Sequence, residues 1–360
     1  MISIFESLRN LVKISQVKID NSVLVLHYPV SVILLLAFCV IVTAKEYVGK
    51  PIECLTDESI PIDIINTFCW MYTTFTIPQA SYNYPLQSYP GIDATMDEKQ
   101  FKYHGYYQWV AFVLFIQAIC FYLPHWLWKF WEGGKLEALS KPVNEAIYSG
   151  RHLQQKQHNL VKYLVSSRGS HDSYSFRFFI CESLALVNIS LQLYFLDKLF
   201  EGEFRQYGLE VINFLLVNDE QRIDPMARIF PKVTKCRFKR YGPSAGLDSV
   251  DALCLLPLNI INEKIYIFLW FWFLLLFILT ALTLVIHIMV ISSRSLWLFV
   301  TKLTYSWSSS QHIKPIIQKS TYGDWFFLYM LGSNIDPVVL KNVLCELADN
   351  DDSINDSCDL

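Results

Sequence analysis

Apolar residues in this chain gather into four long runs, and the stretches between them carry nearly all of the charge. The first run, 22–44, holds one histidine, His27, and no Asp, Glu, Lys or Arg; the second covers 105–128. The third, 177–197, is bounded by Arg177 and Asp197 and contains one carboxylate, Glu182; the fourth, 265–293, is interrupted only by His287. A bilayer core takes about 20 apolar residues of helix. Each run therefore predicts one membrane-spanning helix, and an even number of crossings puts both termini on one side.

Aromatic residues sharpen the second run. Tyr106, Tyr107 and Trp109 stand at its start and Trp126, Trp128 and Trp131 at its end, the spacing expected if each group sat at a headgroup layer. Ahead of the first run, 1–20 is amphipathic. Ile4, Phe5, Leu8, Leu11, Val12 and Ile19 share one helical face, and Glu6, Arg9, Asn10, Lys13 and Gln16 the other. The segment lacks the apolar core and cleavage site of a secretory signal. The residues alone favour a helix lying on the membrane surface; the alternative is a helix folded into a pore, polar face to water.

Composition agrees with the pattern: 53% hydrophobic, 15% aromatic and 18% charged residues are too apolar for a soluble domain of this length. Charge alone orients the chain poorly. Arg9, Lys13, Lys18 and the basic residues of 129–176 suit a cytoplasmic side, yet the loop after the third run is also basic, with Lys232, Lys235, Arg237, Lys239 and Arg240. Cysteine is more informative. Cys39, Cys120 and Cys181 fall inside runs and Cys345 and Cys358 in the tail, while Cys54 and Cys69 share the first loop and Cys236 and Cys254 the third. Pairs confined to one face predict disulfides and an oxidising, extracellular side. Four cysteines allow three connectivities, and neither pair has the spacing of a zinc knuckle.

Enzymatic chemistry finds no constellation. The eight histidines are scattered, and no glycine-rich phosphate loop is present. No catalytic residue, cofactor, metal or nucleic-acid partner is expected. Glu182 is a functional candidate because a carboxylate within a span is costly, but its closeness to the basic end at Arg177 fits a snorkelling or paired structural role equally. Pro29 and Pro124 are candidate kinks.

YYQWV at Tyr106, Tyr107, Gln108, Trp109 and Val110, followed by FYLPHWLWKFWEGGK, resembles the signature of the innexins, the invertebrate gap-junction proteins. The resemblance continues through KISQVKIDN before the first run, CWMYTTFTIP in the first loop and GEFRQYGLEV after the third run. It extends along RIDPMARIFPKVTKCRFKRYGPSAGLDSVDALCLLPLNIINEKIYIFLWFWF and GDWFFLYMLGSNIDP in the tail, and is weaker over 140–173 and 291–321. The pattern is that of insect innexins, and insect viruses carry innexin relatives as well.

The resemblance implies an all-α polytopic membrane subunit with four transmembrane helices, disulfide-linked extracellular loops with short β-strands, and a helical cytoplasmic domain. The expected order is an amino-terminal helix 1–21, spans at 22–44, 105–128, 177–197 and 265–293, extracellular loops 45–104 and 198–264, a cytoplasmic loop 129–176 and a cytoplasmic tail 294–360. It implies Cys54 bonded to Cys254 and Cys69 to Cys236. It also implies a homo- or hetero-oligomeric ring, an octamer, docked to the ring of an apposed cell and embedded in membrane lipid. The ring would pass ions and small metabolites passively. It moves the amino-terminal helix towards the pore, with Met1, Ile2, Glu6, Arg9 and Lys13 lining the entrance. The rival function is a pannexin-like release channel that does not dock, or a tetraspan adhesion protein.

Overall fold

The computed structural model describes residues 17–56, 60–78, 89, 91–93, 98–149, 152–216, 224–241, 246–304 and 316–349. In chain order, helix α1 (Ser22–Tyr47) leads to strand β1 (Glu53–Leu55), helix α2 (Ile62–Tyr72) and strands β2 (Thr74–Thr76) and β3 (Lys102–His104). Helix α3 (Val110–Glu132) is followed by α4 (Lys135–Ser149) and α5 (Leu153–Ser166). Helix α6 (Asp172–Leu199) precedes α7 (Phe204–Leu216), α8 (Pro225–Ile229), β4 (Val233–Tyr241) and β5 (Leu247–Leu255). Helix α9 (Pro257–Ser292) precedes α10 (Arg294–Thr304), α11 (Tyr322–Gly332) and α12 (Pro337–Asp349).

Helices α1, α3, α6 and α9 are each long and apolar enough to cross a membrane. Local chemistry sets their ends. Asn21 accepts a hydrogen bond from the Leu24 amide at 2.7 Å and so caps α1. Within α1 the chain widens into a π-helical turn at Leu26–Val30, where Pro29 has no N–H to give. Helix α9 starts at Pro257, ahead of the apolar run, where Asn259 of its first turn donates to the Pro231 carbonyl at 2.7 Å. Large residues such as Phe271, Leu275, Leu282 and Ile286 remain exposed along α9. Such a face needs lipid or another subunit to cover it.

The chain divides into two compact units. One gathers the described parts of Met1–Val30, Phe121–Asn188 and Phe277–Leu360. Its core joins Trp128, Tyr174 and Phe178 to Trp325, Phe326 and Phe327 of α11, with Leu340 and Val343 of α12. Thr321 and Asp324 form a capping box that starts α11.

The other unit, Ser31–Cys120 with Ile189–Leu276, contains a five-stranded antiparallel sheet ordered β1-β5-β4-β2-β3. The β4–β5 hairpin of the later loop is thus inserted between strands of the earlier one. Cross-strand charges agree with its register: Arg237 faces Asp251 at 2.9 Å, and Arg240 faces Asp248 at 3.0 Å.

Candidate functional site

Two constructions in this scaffold hold chemistry that a simple helix bundle does not need. The first is the antiparallel sheet built from two loops. Cys54 of β1 lies opposite Cys254 of β5 and is bonded to it, with S–S 2.03 Å. Cys69 of α2 is bonded to Cys236 of β4. The two bonds close separations of 200 and 167 residues, and all four cysteines are buried. The sulfurs of Cys54, Cys69 and Cys254 lie close enough together to suggest a metal site. Their bonding leaves no thiolate to serve as ligand.

The YYQWV stretch supports the second disulfide. Tyr106, Tyr107 and Gln108 form a single 3₁₀ turn ahead of α3. Tyr107 is fully buried and stacks on Trp70 with centroids 4.7 Å apart. Gln108 donates to the Trp70 carbonyl. The turn thereby holds the end of α2 next to Cys69. Tyr106 packs edge-on against Phe200 and Phe230, and Val110 is buried. Of these five residues Trp109 alone is exposed. At the far end of α3, Trp126 is exposed but Trp128 is fully buried. The aromatic clusters expected as headgroup belts are thus partly core, because rings flanking a span also have loops to anchor.

Electrostatics in this unit are local. Lys102 bridges Glu203 at 2.9 Å and Glu201 at 3.6 Å, Arg228 meets Glu210 at 2.5 Å, and Lys232 meets buried Glu263 at 3.1 Å. Much of the basic charge after α6 is therefore matched within the loop. His104 is buried against Thr76 at 2.7 Å, and burial, aided by Lys102, lowers its pKa to about 3. It stays neutral at physiological pH. Burial likewise pushes Tyr107 up to about 12, against hydrogen bonds with Thr74.

The second construction lies where the chain enters α1. Asp20 contacts His125 of α3 at 3.1 Å. Asn21 donates to Glu182 of α6, whose other oxygen lies 2.5 Å from Nδ1 of His287 in α9. Glu182 is buried and paired and does not snorkel. His27 Nε2 is also paired, 2.7 Å from Thr280 Oγ1. The sequence pattern missed Asp20, Asn21 and His125. A usable signal was present, since polar residues inside or beside apolar runs need partners. Pro124 lies buried within the continuous α3. Met1, Ile2, Glu6, Arg9 and Lys13 lie outside the described residues.

Comparison with known proteins gives one consistent family. The innexin family model matches residues 20–350. The chain is 44% identical to innexin inx2 of Drosophila melanogaster over 97% of its own length and 95% of that protein. It is 44% identical to innexin shaking-B of the same fly, over 97% and 94%, and 38% identical to innexin inx1 of Schistocerca americana, over 97% of each chain.

Proposed function

The chain belongs to the innexin family, and from that premise we infer how it works as a gap-junction channel subunit. It is a multi-pass membrane protein of gap junctions, a channel component and not an enzyme. The observation that carries the reading is the family match along nearly the whole chain.

In the proposed arrangement the disulfide-bearing loops are extracellular and both termini cytoplasmic. Support comes from the two disulfides, which require an oxidising compartment. Subunits form a ring, proposed as an octamer of one or several innexins, because four helices pack around themselves and leave a wide aqueous path only between protomers. The ring docks to one on the neighbouring cell through its loops. Bonding β1 to β5 and α2 to β4 removes loop freedom that docking would otherwise have to order. The residues proposed to line the entrance are Met1, Ile2, Glu6, Arg9 and Lys13, and selectivity follows pore width and facing charge. Pro124, with no N–H for the Cys120 carbonyl, is the proposed bend in α3.

Paired cells expressing the chain test this directly. Electrical coupling that requires expression in both cells is expected, with charge reversal at Glu6, Arg9 or Lys13 altering selectivity. A tag after Ser140 should be reachable only in permeabilised cells, and one near Asp93 in intact cells. Conductance in single cells with no coupling between pairs would count against docking.

A further inference from the structure

Four consecutive residues before α1 are each held by a different side chain. The Lys18 backbone is bracketed by Asn334: Asn334 Oδ1 accepts from the Lys18 amide at 2.6 Å, and Nδ2 donates to the Lys18 carbonyl at 2.8 Å. The Ile19 carbonyl accepts from Trp128 Nε1 at 2.8 Å. Asp20 contacts His125, and Asn21 donates to Glu182. The last three partners sit on α3 and α6. Asn334 comes instead from the turn between α11 and α12, 316 positions away.

Asn334 suits this task for chemical reasons. Only a short carboxamide offers a donor and an acceptor side by side, matching the N–H and C=O of one peptide residue. The second hydrogen of Nδ2 reaches the Met330 carbonyl at 2.9 Å, so both of its donor hydrogens are engaged. Turning the amide over would set its donors against the Lys18 N–H. The turn is braced from another direction, because Asn144 of α4 donates to the Asn334 carbonyl at 2.9 Å. Two motifs from opposite ends of the chain, KISQVKIDN and GSNIDP, thus meet through one side chain.

We propose that Asn334 is a positioning residue through which the carboxy-terminal region sets the course of the amino-terminal segment, so that packing of the tail is felt at the pore entrance. The inference rests on the reading that this segment lines the pore. Residues 19–21 are fixed by helices within the membrane bundle and make a fulcrum. Lys18 is the last residue before it, and its bracket is the one supplied by the tail. A shift of the α11–α12 turn therefore alters the direction in which the backbone meets Lys18.

The test uses the full-length chain in lipid nanodiscs and in paired cells, comparing wild type with Asn334→Leu, a variant of similar shape without the bracket. Amide exchange at Lys18 should quicken by roughly tenfold on loss of the two hydrogen bonds, while amides of α3 and α6 and the amount of surface protein stay unchanged. Junctional conductance should shift in its voltage dependence. Unchanged exchange at Lys18 overturns the bracket, and faster exchange with an unchanged conductance–voltage relation overturns the positioning role. If Asn334→Leu does not reach the membrane, Asn334→Asp, which keeps the acceptor and loses both donors, is read by the same criteria. Deletion of Ile2–Asn10 separates the two levels. A deletion that alters conductance while Asn334→Leu does not sinks this inference alone, whereas a silent deletion removes the pore reading beneath it.

Discussion

Glu182 of α6 and His287 of α9 lie 2.5 Å apart, and the carboxylate, almost fully buried, also accepts from Asn21. A lone carboxylate at this depth would be costly, so the pair must be judged together with its third partner. The three side chains tie the start of α1 to two other spans.

Removing Glu182 should leave the partly buried Asn21 and His287 without their shared partner, at a cost of about 1–3 kcal/mol. Glu182→Ala is expected to lower the thermal stability of the solubilised protein sharply and to reduce surface protein. Glu182→Gln keeps an acceptor for Asn21 and should be milder. Equal melting of Glu182→Ala and wild type would show that the cluster contributes nothing to stability.

Each disulfide should contribute about 2–5 kcal/mol. Cys54→Ser and Cys69→Ser are expected to abolish coupling between paired cells, whereas Cys120→Ser, which alters a partly exposed thiol within α3, should be nearly silent. Peptide mapping without reduction should recover Cys54 joined to Cys254 and Cys69 joined to Cys236. Recovery of Cys54 with Cys69 would contradict the bond that joins β1 to β5.

The spans and the bracket on Lys18 differ in how far they could be read from the chain. Spans were legible because a bilayer imposes length and apolarity on each helix separately, and the uncharged runs around Leu35 and Phe273 meet that demand without reference to anything else. The bracket on Lys18 was not, because its partner is far along the chain and Asn334 looks like any turn asparagine. The sheet order was hidden for a similar reason: β1, β2 and β3 are three residues each, too short to show alternation, and gain their place only by pairing with β4 and β5. Helices α11 and α12 lie in a tail read only as helical in general. Their boundaries follow from local caps at Thr321 and Asp336, whose side chains accept from the Asp324 and Val338 amides.

Two glycines in the motifs that resemble innexins are required by close approach. A Cβ on Gly208 would lie 2.1 Å from the Trp270 ring, and one on Gly323 would lie 2.4 Å from the Asp172 backbone nitrogen. Backbone cannot move aside as a side chain can. Gly323→Ala should therefore cost about 1–3 kcal/mol by overpacking and separate the start of α11 from α6. Proteolysis within the tail should become faster in this variant, and an unchanged rate would mean that the contact yields without strain.

The same junction should respond to pH. His171 is buried, stacks on Phe327 with centroids 4.2 Å apart and lies 2.9 Å from Asp324. Burial lowers its pKa, the hydrogen bond to Asp324 opposes that, and the charge on Lys135 adds to the lowering. For Asp324, burial favours protonation, but hydrogen bonds from the Gly169 amide, His171 and Thr321 outweigh it and lower the pKa. Both groups therefore bind protons less readily when folded than when unfolded, so stability rises with pH wherever they titrate. For His171 the contribution is complete above the ordinary value of 6.5 and fades as pH falls below it; for Asp324 the loss starts only near 3.8. Mild acidification should thus loosen α11 through His171. Protection of α11 amides, corrected for intrinsic exchange, should fall between about pH 7.5 and about pH 6. His171→Asn, which can still donate to Asp324 but cannot titrate in that range, should flatten the dependence. Asp324→Asn should weaken protection at both values by removing the charged acceptor. An equal pH slope in wild type and His171→Asn would assign the response to another group.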